Sequence, residues 1–214
     1  MTMTAIKICG LTDPVSIRVS AAAGAGYIGF VFYPPSPRSV PVDATQSLRS
    51  AVPGDVIPVG LFVDPDDELL GAVIPRLTPG LIQLHGTETP QRVAAIKARF
   101  GLPVMKALKI AGPEDLEPLP LYEDVADWIL FDAKAPSGST LPGGNGVVFD
   151  WNVLKSVKPR RPWMLSGGLT PENVGEALKV LKPHAVDVSS GVEDAPGRKN
   201  ADKIRAFIQA VKGA

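Results

Sequence analysis

A chain of 214 residues with 45% apolar residues is long enough to bury one hydrophobic core, which predicts a single domain over residues 1–214. Its 22 acidic and 22 basic side chains balance, which argues against nucleic-acid or anionic-membrane partners. The single cysteine excludes an intramolecular disulfide, and no segment has the apolar run of a signal peptide or membrane helix. We therefore expect a cytoplasmic protein.

Eight short segments rich in β-branched and aromatic residues are predicted to be strands. They are Ala5–Cys9, Tyr27–Phe32, Val56–Phe62, Leu81–Leu84, Val104–Leu108, Trp128–Phe131, Trp163–Leu165 and Ala185–Val188. Most are continuous apolar runs, which is typical of parallel strands covered on both faces. Helices are therefore expected between them, and the fold class is α/β.

Four segments pair a capping side chain with a proline suited to the first helical turn. These predicted helix starts are Asp13-Pro14, Asp64-Pro65, Thr89-Pro90 and Thr170-Pro171. Eight strand-helix units of about 27 residues each are compact but feasible for a (β/α)8 TIM barrel. No G-x-G-x-x-G follows the first strand, which disfavours an open doubly wound sheet without excluding it.

The longest irregular stretch runs from Ala133 to Val147 and is dense in Gly, Ser and Pro. A loop of this length after the sixth strand is predicted to be a mobile lid.

Two strand ends carry candidate catalytic residues, because reactive side chains of such barrels lie at the C-terminal ends of strands. Cys9 ends the first strand, where a cation or amide donors could activate its thiol. Asp132 ends the sixth strand, where desolvation could make it a general acid. Lys7 is expected to point away from Cys9. The structural alternatives are a small buried hydrophobic residue for Cys9 and a capping role or an ion pair with Lys134 for Asp132.

Three further side chains are candidate ligand contacts. Arg38 lies in a proline-stiffened loop after the second strand and could present its guanidinium to a carboxylate or phosphate. Gln83 and His85 flank one residue at the end of the fourth strand, so they share a face and are expected to line the pocket. A purely structural histidine is the alternative.

Two glycine-rich turns follow the last two strands, Ser166–Gly168 and Ser189–Gly191. Amides freed by glycine beside helix N-termini bind anions, and the loops after the seventh and eighth strands commonly hold a phosphate in barrel enzymes. Either turn alone could be only a tight connection. Together they predict a phosphorylated small-molecule substrate.

Eight motifs occur in order over residues 6–212: KICGLT, GFVFYPPSPRSV, VGLFV, IQLHG, FDAK, GGNGVVFDW, SGGLTPENV and VDVSSGVE. Together they resemble the phosphoribosylanthranilate isomerase family of tryptophan biosynthesis, and the combination of KICG, SPR and VDVSSGVE is highly specific. One departure is Asn145, where the family often has Thr or Ser.

The resemblance implies an aldose-ketose isomerase, an intramolecular oxidoreductase with no metal and no cofactor. It would convert N-(5-phospho-β-D-ribosyl)anthranilate to 1-(2-carboxyphenylamino)-1-deoxy-D-ribulose 5-phosphate by an Amadori rearrangement. Asp132 would be the general acid, Cys9 the general base, and Arg38 the partner of the anthranilate carboxylate. By the same resemblance, the phosphate would be bound by Gly167, Gly168, Ser189, Ser190 and Gly191, and the remaining polar groups by Asp187, Gln83 and His85.

Three alternatives remain at this point. The related histidine-pathway isomerase, or a bifunctional barrel, is expected to have an aspartate where Cys9 stands. A pentose-phosphate epimerase needs metal-binding histidines, and the chain has only His85 and His184. A catalytically silent barrel that binds a sugar phosphate is the third. The sequence is compatible with a monomer or a homodimer.

Overall fold

The computed structural model describes residues 4–134, 143, 146 and 149–214, and its central feature is a closed barrel of eight parallel strands. The strands pair in chain order, and β8 pairs with β1 to close the barrel. They are β1 Ala5–Cys9, β2 Tyr27–Phe32, β3 Ile57–Phe62, β4 Leu81–Leu84, β5 Val104–Ile110, β6 Trp128–Ala133, β7 Trp163–Leu165 and β8 Ala185–Val188. The barrel prediction is confirmed. Because β6 continues to Ala133, Asp132 is its penultimate residue and not its last one.

Seven α-helices surround the barrel within the described residues. They are α1 Pro14–Ala23, α2 Thr45–Ser50, α3 Asp67–Leu77, α4 Pro90–Phe100, α5 Leu119–Glu123, α6 Val174–Val180 and α7 Ala201–Lys212. After β8 come a 3-10 turn, Ser190–Val192, and an antiparallel hairpin of β9 Glu193–Ala195 and β10 Arg198–Lys199. In the described part of the chain, no helix is long and apolar enough to cross a membrane.

Two of the four predicted helix starts are confirmed. The side chains of Asp13 and Thr89 accept hydrogen bonds from backbone amides of the first turns of α1 and α4. The start at Asp64 is wrong, because Asp66 caps α3 instead. Asp64 has a left-handed backbone, with φ of 45°, and its carboxylate accepts from Thr87 in the loop after β4.

The start at Thr170-Pro171 is also wrong for the α-helix, since α6 begins at Val174. Thr170 instead opens a turn in which its hydroxyl accepts from the amide of Glu172 at 3.2 Å. The prediction failed because a capping residue followed by proline is typical of turns as well as of helix starts.

Side chains alternate between the barrel interior and the layer under the helices. On β1, Ile6 and Ile8 pack outward into the large core beneath the helices, whereas Cys9 belongs to a separate interior cluster. The lower interior is filled by Val59, Leu81, Met105, Ala107, Leu130, Met164 and Ala185. The N-terminal end of the barrel is therefore packed, and an interior site can open only at the C-terminal end.

Candidate active site

A cavity of roughly 800 Å³, including its open mouth, lies at the C-terminal end of the barrel. Its apolar wall contains Val31, Tyr33, Leu61 and Val63. Nine of the eleven predicted site residues line it: Cys9, Arg38, His85, Asp132, Gly167, Gly168, Asp187, Ser189 and Ser190. Gln83 and Gly191 are not among the lining residues.

Cys9 ends β1 on the cavity wall and is 3% exposed. Lys7 is fully buried, and its Nζ donates to Asp187 Oδ1 at 2.8 Å while also interacting with the Cys9 thiol. The expectation that Lys7 points away from Cys9 is therefore wrong. Residues two apart on a strand share a face, so both side chains enter the barrel.

The charges around Cys9 act in opposite directions. Burial raises the pKa of the Cys9 thiol, Lys7 opposes this rise, and Asp187 adds to it. For Lys7, burial by itself would lower the pKa, but the negative charges of Asp187 and of a Cys9 thiolate outweigh burial and raise it. Lys7 is therefore held in its ammonium form at the floor of the site.

Asp132, on the opposite wall, is part of a chain of three hydrogen-bonded side chains. His85 Nε2 lies 3.0 Å from Asp132 Oδ2, and His85 Nδ1 lies 3.0 Å from Gln83 Nε2. With the Gln83 amide nitrogen as the donor, Nδ1 is the acceptor and Nε2 carries the ring hydrogen. The predicted pair of Gln83 and His85 thus shares a face, but only His85 reaches the cavity.

Arg38 is anchored by a carboxylate that the sequence reasoning did not single out. Its Nε and Nη2 each donate to Glu193 at 2.8 Å, and Lys199 donates to the same carboxylate at 2.6 Å. Lys199 also donates to both oxygens of Ser189, whose hydroxyl donates to the carbonyl of Cys9 at 3.1 Å. The hairpin of β9 and β10 thus connects the loop after β2, the loop after β8 and the end of β1.

The two glycine-rich turns both line the cavity. Gly167 and Gly168 have left-handed backbones, with φ of 90° and 62°. In the described part of the chain, the amides of Gly167, Gly168 and Ser190 donate to no protein acceptor, which suits an anion. Gly191 is required sterically, because a Cβ there would lie 2.0 Å from the carbonyl oxygen of Leu169.

The predicted lid lies mostly outside the described residues, as does Asn145. Within it, Gly143 and Gly146 line the cavity. A Cβ on Gly143 would lie 2.7 Å from His85 Nε2 and 2.9 Å from Asp132 Oδ2. Gly143 therefore packs directly against the Asp132–His85 pair.

Sequence reasoning missed the roles of Lys7, Glu193 and Lys199, and named Ser166 only as part of the turn Ser166–Gly168. Lys7 could have been found from the two-residue period of β1, and Ser166 from its place at the end of β7, where its hydroxyl lies 3.3 Å from Asp187 Oδ2. Glu193 is the last residue of the VDVSSGVE motif, but neither it nor Lys199 gives a local signal for a contact with Arg38, because a hairpin outside the barrel brings them there. The described residues contain no cluster of three or more His, Cys, Asp or Glu side chains arranged to hold a metal.

Comparison with known proteins identifies one family. A family model described as N-(5'phosphoribosyl)anthranilate (PRA) isomerase matches residues 6–210. The N-(5'-phosphoribosyl)anthranilate isomerase of Paramagnetospirillum magneticum is 55% identical over 208 residues, which cover 97% of each chain. That of Azorhizobium caulinodans is 54% identical over 209 residues, covering 98% of this chain and 92% of the relative.

Solved structures agree with these sequence matches. The phosphoribosyl anthranilate isomerase of Thermotoga maritima superimposes with a TM-score of 0.89 at 37% identity, covering 99% of this chain and 100% of that one. A second phosphoribosyl anthranilate isomerase structure, in complex with reduced 1-(o-carboxyphenylamino)-1-deoxyribulose 5-phosphate, has a TM-score of 0.86 at 36% identity with the same coverage.

Proposed function

The chain belongs to the N-(5'-phosphoribosyl)anthranilate isomerase family, and from this premise we propose that Cys9 and Asp132 are the base and the acid of its reaction. The function is the aldose-ketose isomerisation of N-(5-phospho-β-D-ribosyl)anthranilate to 1-(2-carboxyphenylamino)-1-deoxy-D-ribulose 5-phosphate in tryptophan biosynthesis. The family match decides against the two other sugar-phosphate families that the sequence had left open. The observation that carries the residue roles is that Cys9 and Asp132 line one cavity from different strands.

In the proposed first step, Asp132 donates a proton to the ring oxygen of the sugar while the bond from that oxygen to C1 breaks. The lone pair of the anilino nitrogen forms the C1–N double bond of a Schiff base. The hydrogen bond between Asp132 Oδ2 and His85 supports this role, because it orients the carboxyl group.

In the second step, the Cys9 thiolate removes the proton from C2, and the electron pair of that bond forms the double bond of an enolamine. Tautomerisation then moves a proton to C1 and removes one from the C2 hydroxyl, which yields the ketone. Asp132 has lost one proton and Cys9 has gained one, so the cycle closes when the two groups re-equilibrate through solvent. The two groups must differ in protonation state at the same pH, as is usual for an acid-base pair.

The rest of the cavity matches the other parts of this substrate. We assign the phosphate to Gly167, Gly168, Ser189 and Ser190, whose loops supply amides and hydroxyls. The apolar wall suits the aromatic ring, and Arg38, which Glu193 holds in one orientation, is the partner assigned to the anthranilate carboxylate.

We further propose that the catalytic unit works in the cytoplasm as a monomer or homodimer. One solved relative, from Thermotoga maritima, is described as dimeric, and the lone cysteine suits a reducing compartment. Light scattering on the purified protein gives the oligomeric state.

The test is to mix the protein with freshly generated phosphoribosylanthranilate and follow the loss of its fluorescence. Cys9→Ser and Asp132→Asn should each lower kcat by about 100-fold or more. Asp124→Asn, which changes an exposed carboxylate paired with Arg160, is the matched control and should behave like the parent. A folded parent without turnover would favour the silent binding barrel, and a fully active Cys9→Ser would overturn the assigned base.

A further inference from the structure

Three reactive groups lie in contact inside the upper barrel: the ammonium of Lys7, the carboxylate of Asp187 and the thiol of Cys9. Lys7 and Asp187 occupy paired positions on β1 and β8, and Lys7 interacts with both of the other groups. Gly29 on β2 provides the space, because a Cβ there would lie 2.8 Å from Cys9 Sγ and 3.1 Å from Lys7 Nζ. The absence of a side chain at Gly29 therefore lets the Lys7 and Cys9 side chains lie next to each other.

A thiolate at this depth requires a nearby positive charge, since burial strongly disfavours the isolated anion. Besides Lys7 and Asp187, the charged or titratable groups around Cys9 in the described part of the chain are Lys199 from β10, Arg38 on the cavity wall and, across the cavity, the Asp132–His85 pair. Lys199 is bound to the carboxylate of Glu193, which also binds Arg38. Lys7 is therefore the cation best placed to act on the sulfur.

We propose that Lys7 is a positioning residue that stabilises the Cys9 thiolate, and that Asp187 keeps Lys7 protonated. This inference rests on the proposed role of Cys9 as the general base. It gives Asp187 a function on the enzyme side of the site, in addition to any contact with the substrate.

The charge balance explains how this arrangement favours proton abstraction. Before the step, one cation is shared between two anions, the thiolate and the Asp187 carboxylate. After Cys9 takes the C2 proton, the thiol is neutral and Lys7 and Asp187 remain as a balanced pair. The Asp187 carboxylate thus keeps the thiolate basic, while the positive charge of Lys7 allows the thiolate to form in a buried site.

The experiment measures the thiol pKa directly, in the absence of substrate, from the ultraviolet absorbance of the thiolate as a function of pH. Cys9 is the single cysteine of the chain, so the signal belongs to it, and Cys9→Ser supplies the baseline. Lys7→Met should raise the thiol pKa by about one unit or more, which means roughly tenfold less thiolate at a given pH. Asp187→Asn should lower the thiol pKa, because the thiolate then pairs with Lys7 alone and its own negative charge keeps Lys7 protonated.

The matched control is Lys106→Met. Lys106 is buried like Lys7 and is also ion-paired, with Glu88 at 2.7 Å. It does not point into the barrel, because its strand neighbours Met105 and Ala107 are the residues that face the interior. This variant should leave the thiol pKa unchanged. If Lys7→Met folds poorly, the double variant Lys7→Met/Asp187→Asn removes the pair without leaving an orphan carboxylate, and its thiol pKa should still exceed that of the parent.

Activity supplies a second readout. The kcat/KM of Lys7→Met should fall by about tenfold at neutral pH and recover as the pH rises, which a purely structural loss would not do. An unchanged thiol pKa in both Lys7→Met and the double variant would overturn the inference, even if the parent is an active isomerase. An inactive parent with the expected thiol shifts would instead reject the proposed function.

Discussion

Glu193 binds the guanidinium of Arg38 through both of its carboxylate oxygens, with Oε1 2.8 Å from Nε and Oε2 2.8 Å from Nη2. This bidentate geometry fixes the plane of the Arg38 side chain. A residue of the hairpin after β8 thereby controls the orientation of a side chain on the loop after β2.

Glu193→Gln should therefore weaken substrate binding more than it slows the chemistry. We expect KM to rise roughly tenfold, equivalent to about 1.4 kcal/mol, with kcat little changed, because Arg38 loses one charge-assisted bond but stays on the cavity wall. Steady-state kinetics with Asp194→Asn as the control on the same hairpin measures this. Equal effects of Glu193→Gln and Asp194→Asn on KM would show that the substitutions act through the fold of the hairpin and not through Arg38.

The Glu193 carboxylate should also make the free energy of unfolding depend on pH. Burial tends to raise the pKa of Glu193, but its bonds to Arg38 and the charge of Lys199 outweigh burial and lower it. A lowered folded-state pKa contributes stability that is fully present above the ordinary glutamate value and is lost as the pH falls through the folded value. The Tm difference between the parent and Glu193→Gln should accordingly narrow on acidification; a gap that widens in acid would contradict this.

Gly29→Ala tests the space that Lys7 and Cys9 occupy. The added Cβ would meet Cys9 Sγ at 2.8 Å and the Cys9 backbone at 3.2 Å, so the thiol must shift. We expect a stability loss of about 1–3 kcal/mol and a fall in kcat/KM of at least about tenfold. Gly71→Ala, inside α3 with nothing within 4 Å of the new Cβ, is the control and should raise stability by about 1 kcal/mol. Full activity of Gly29→Ala would mean that the cysteine position is not critical.

Gln83 is expected to act through His85. In the parent its amide donates to Nδ1, so Nε2 carries the hydrogen that bonds to Asp132. Gln83→Glu would instead accept from a protonated Nδ1 and favour the imidazolium, which holds Asp132 as a carboxylate and removes the proton needed for ring opening. A fall in kcat of about tenfold or more is expected, whereas Gln83→Met should cost less.

Nitrogen NMR checks the tautomer directly, because the chain has only two histidines. The parent should show His85 protonated on Nε2 and unprotonated on Nδ1. The opposite tautomer in the parent would contradict this account of the Asp132 hydrogen bond.

The plot of kcat/KM against pH should be bell-shaped, because catalysis needs Cys9 as a thiolate and Asp132 as a carboxylic acid at the same time. Measurements of kcat/KM across the range in which the parent stays folded give both limbs. A flat profile across neutral pH would count against this pair.

Much of the fold was predictable because each strand is a short continuous apolar run, and such runs are typical of parallel strands buried on both faces. The candidate acid and base were predictable for a similar reason, since Cys9 and Asp132 stand where such runs stop. Helix starts were less secure. Asp64 and Thr170 precede prolines just as Asp13 and Thr89 do, but the Asp64 carboxylate binds Thr87 in the loop after β4, and the Thr170 hydroxyl accepts from Glu172 within a local turn.

The sequence by itself determined the eight strands, their order along the chain and the glycine-rich turns that follow the last two, because strand periodicity and turn chemistry are local properties. Only the tertiary structure decided which charges meet. Lys7 pairs with Asp187 because β8 closes against β1, and Arg38 pairs with Glu193 because a hairpin folds back over the loop after β2. These partners are more than 150 residues apart in the chain, and local patterns carry no information about contacts that barrel closure creates.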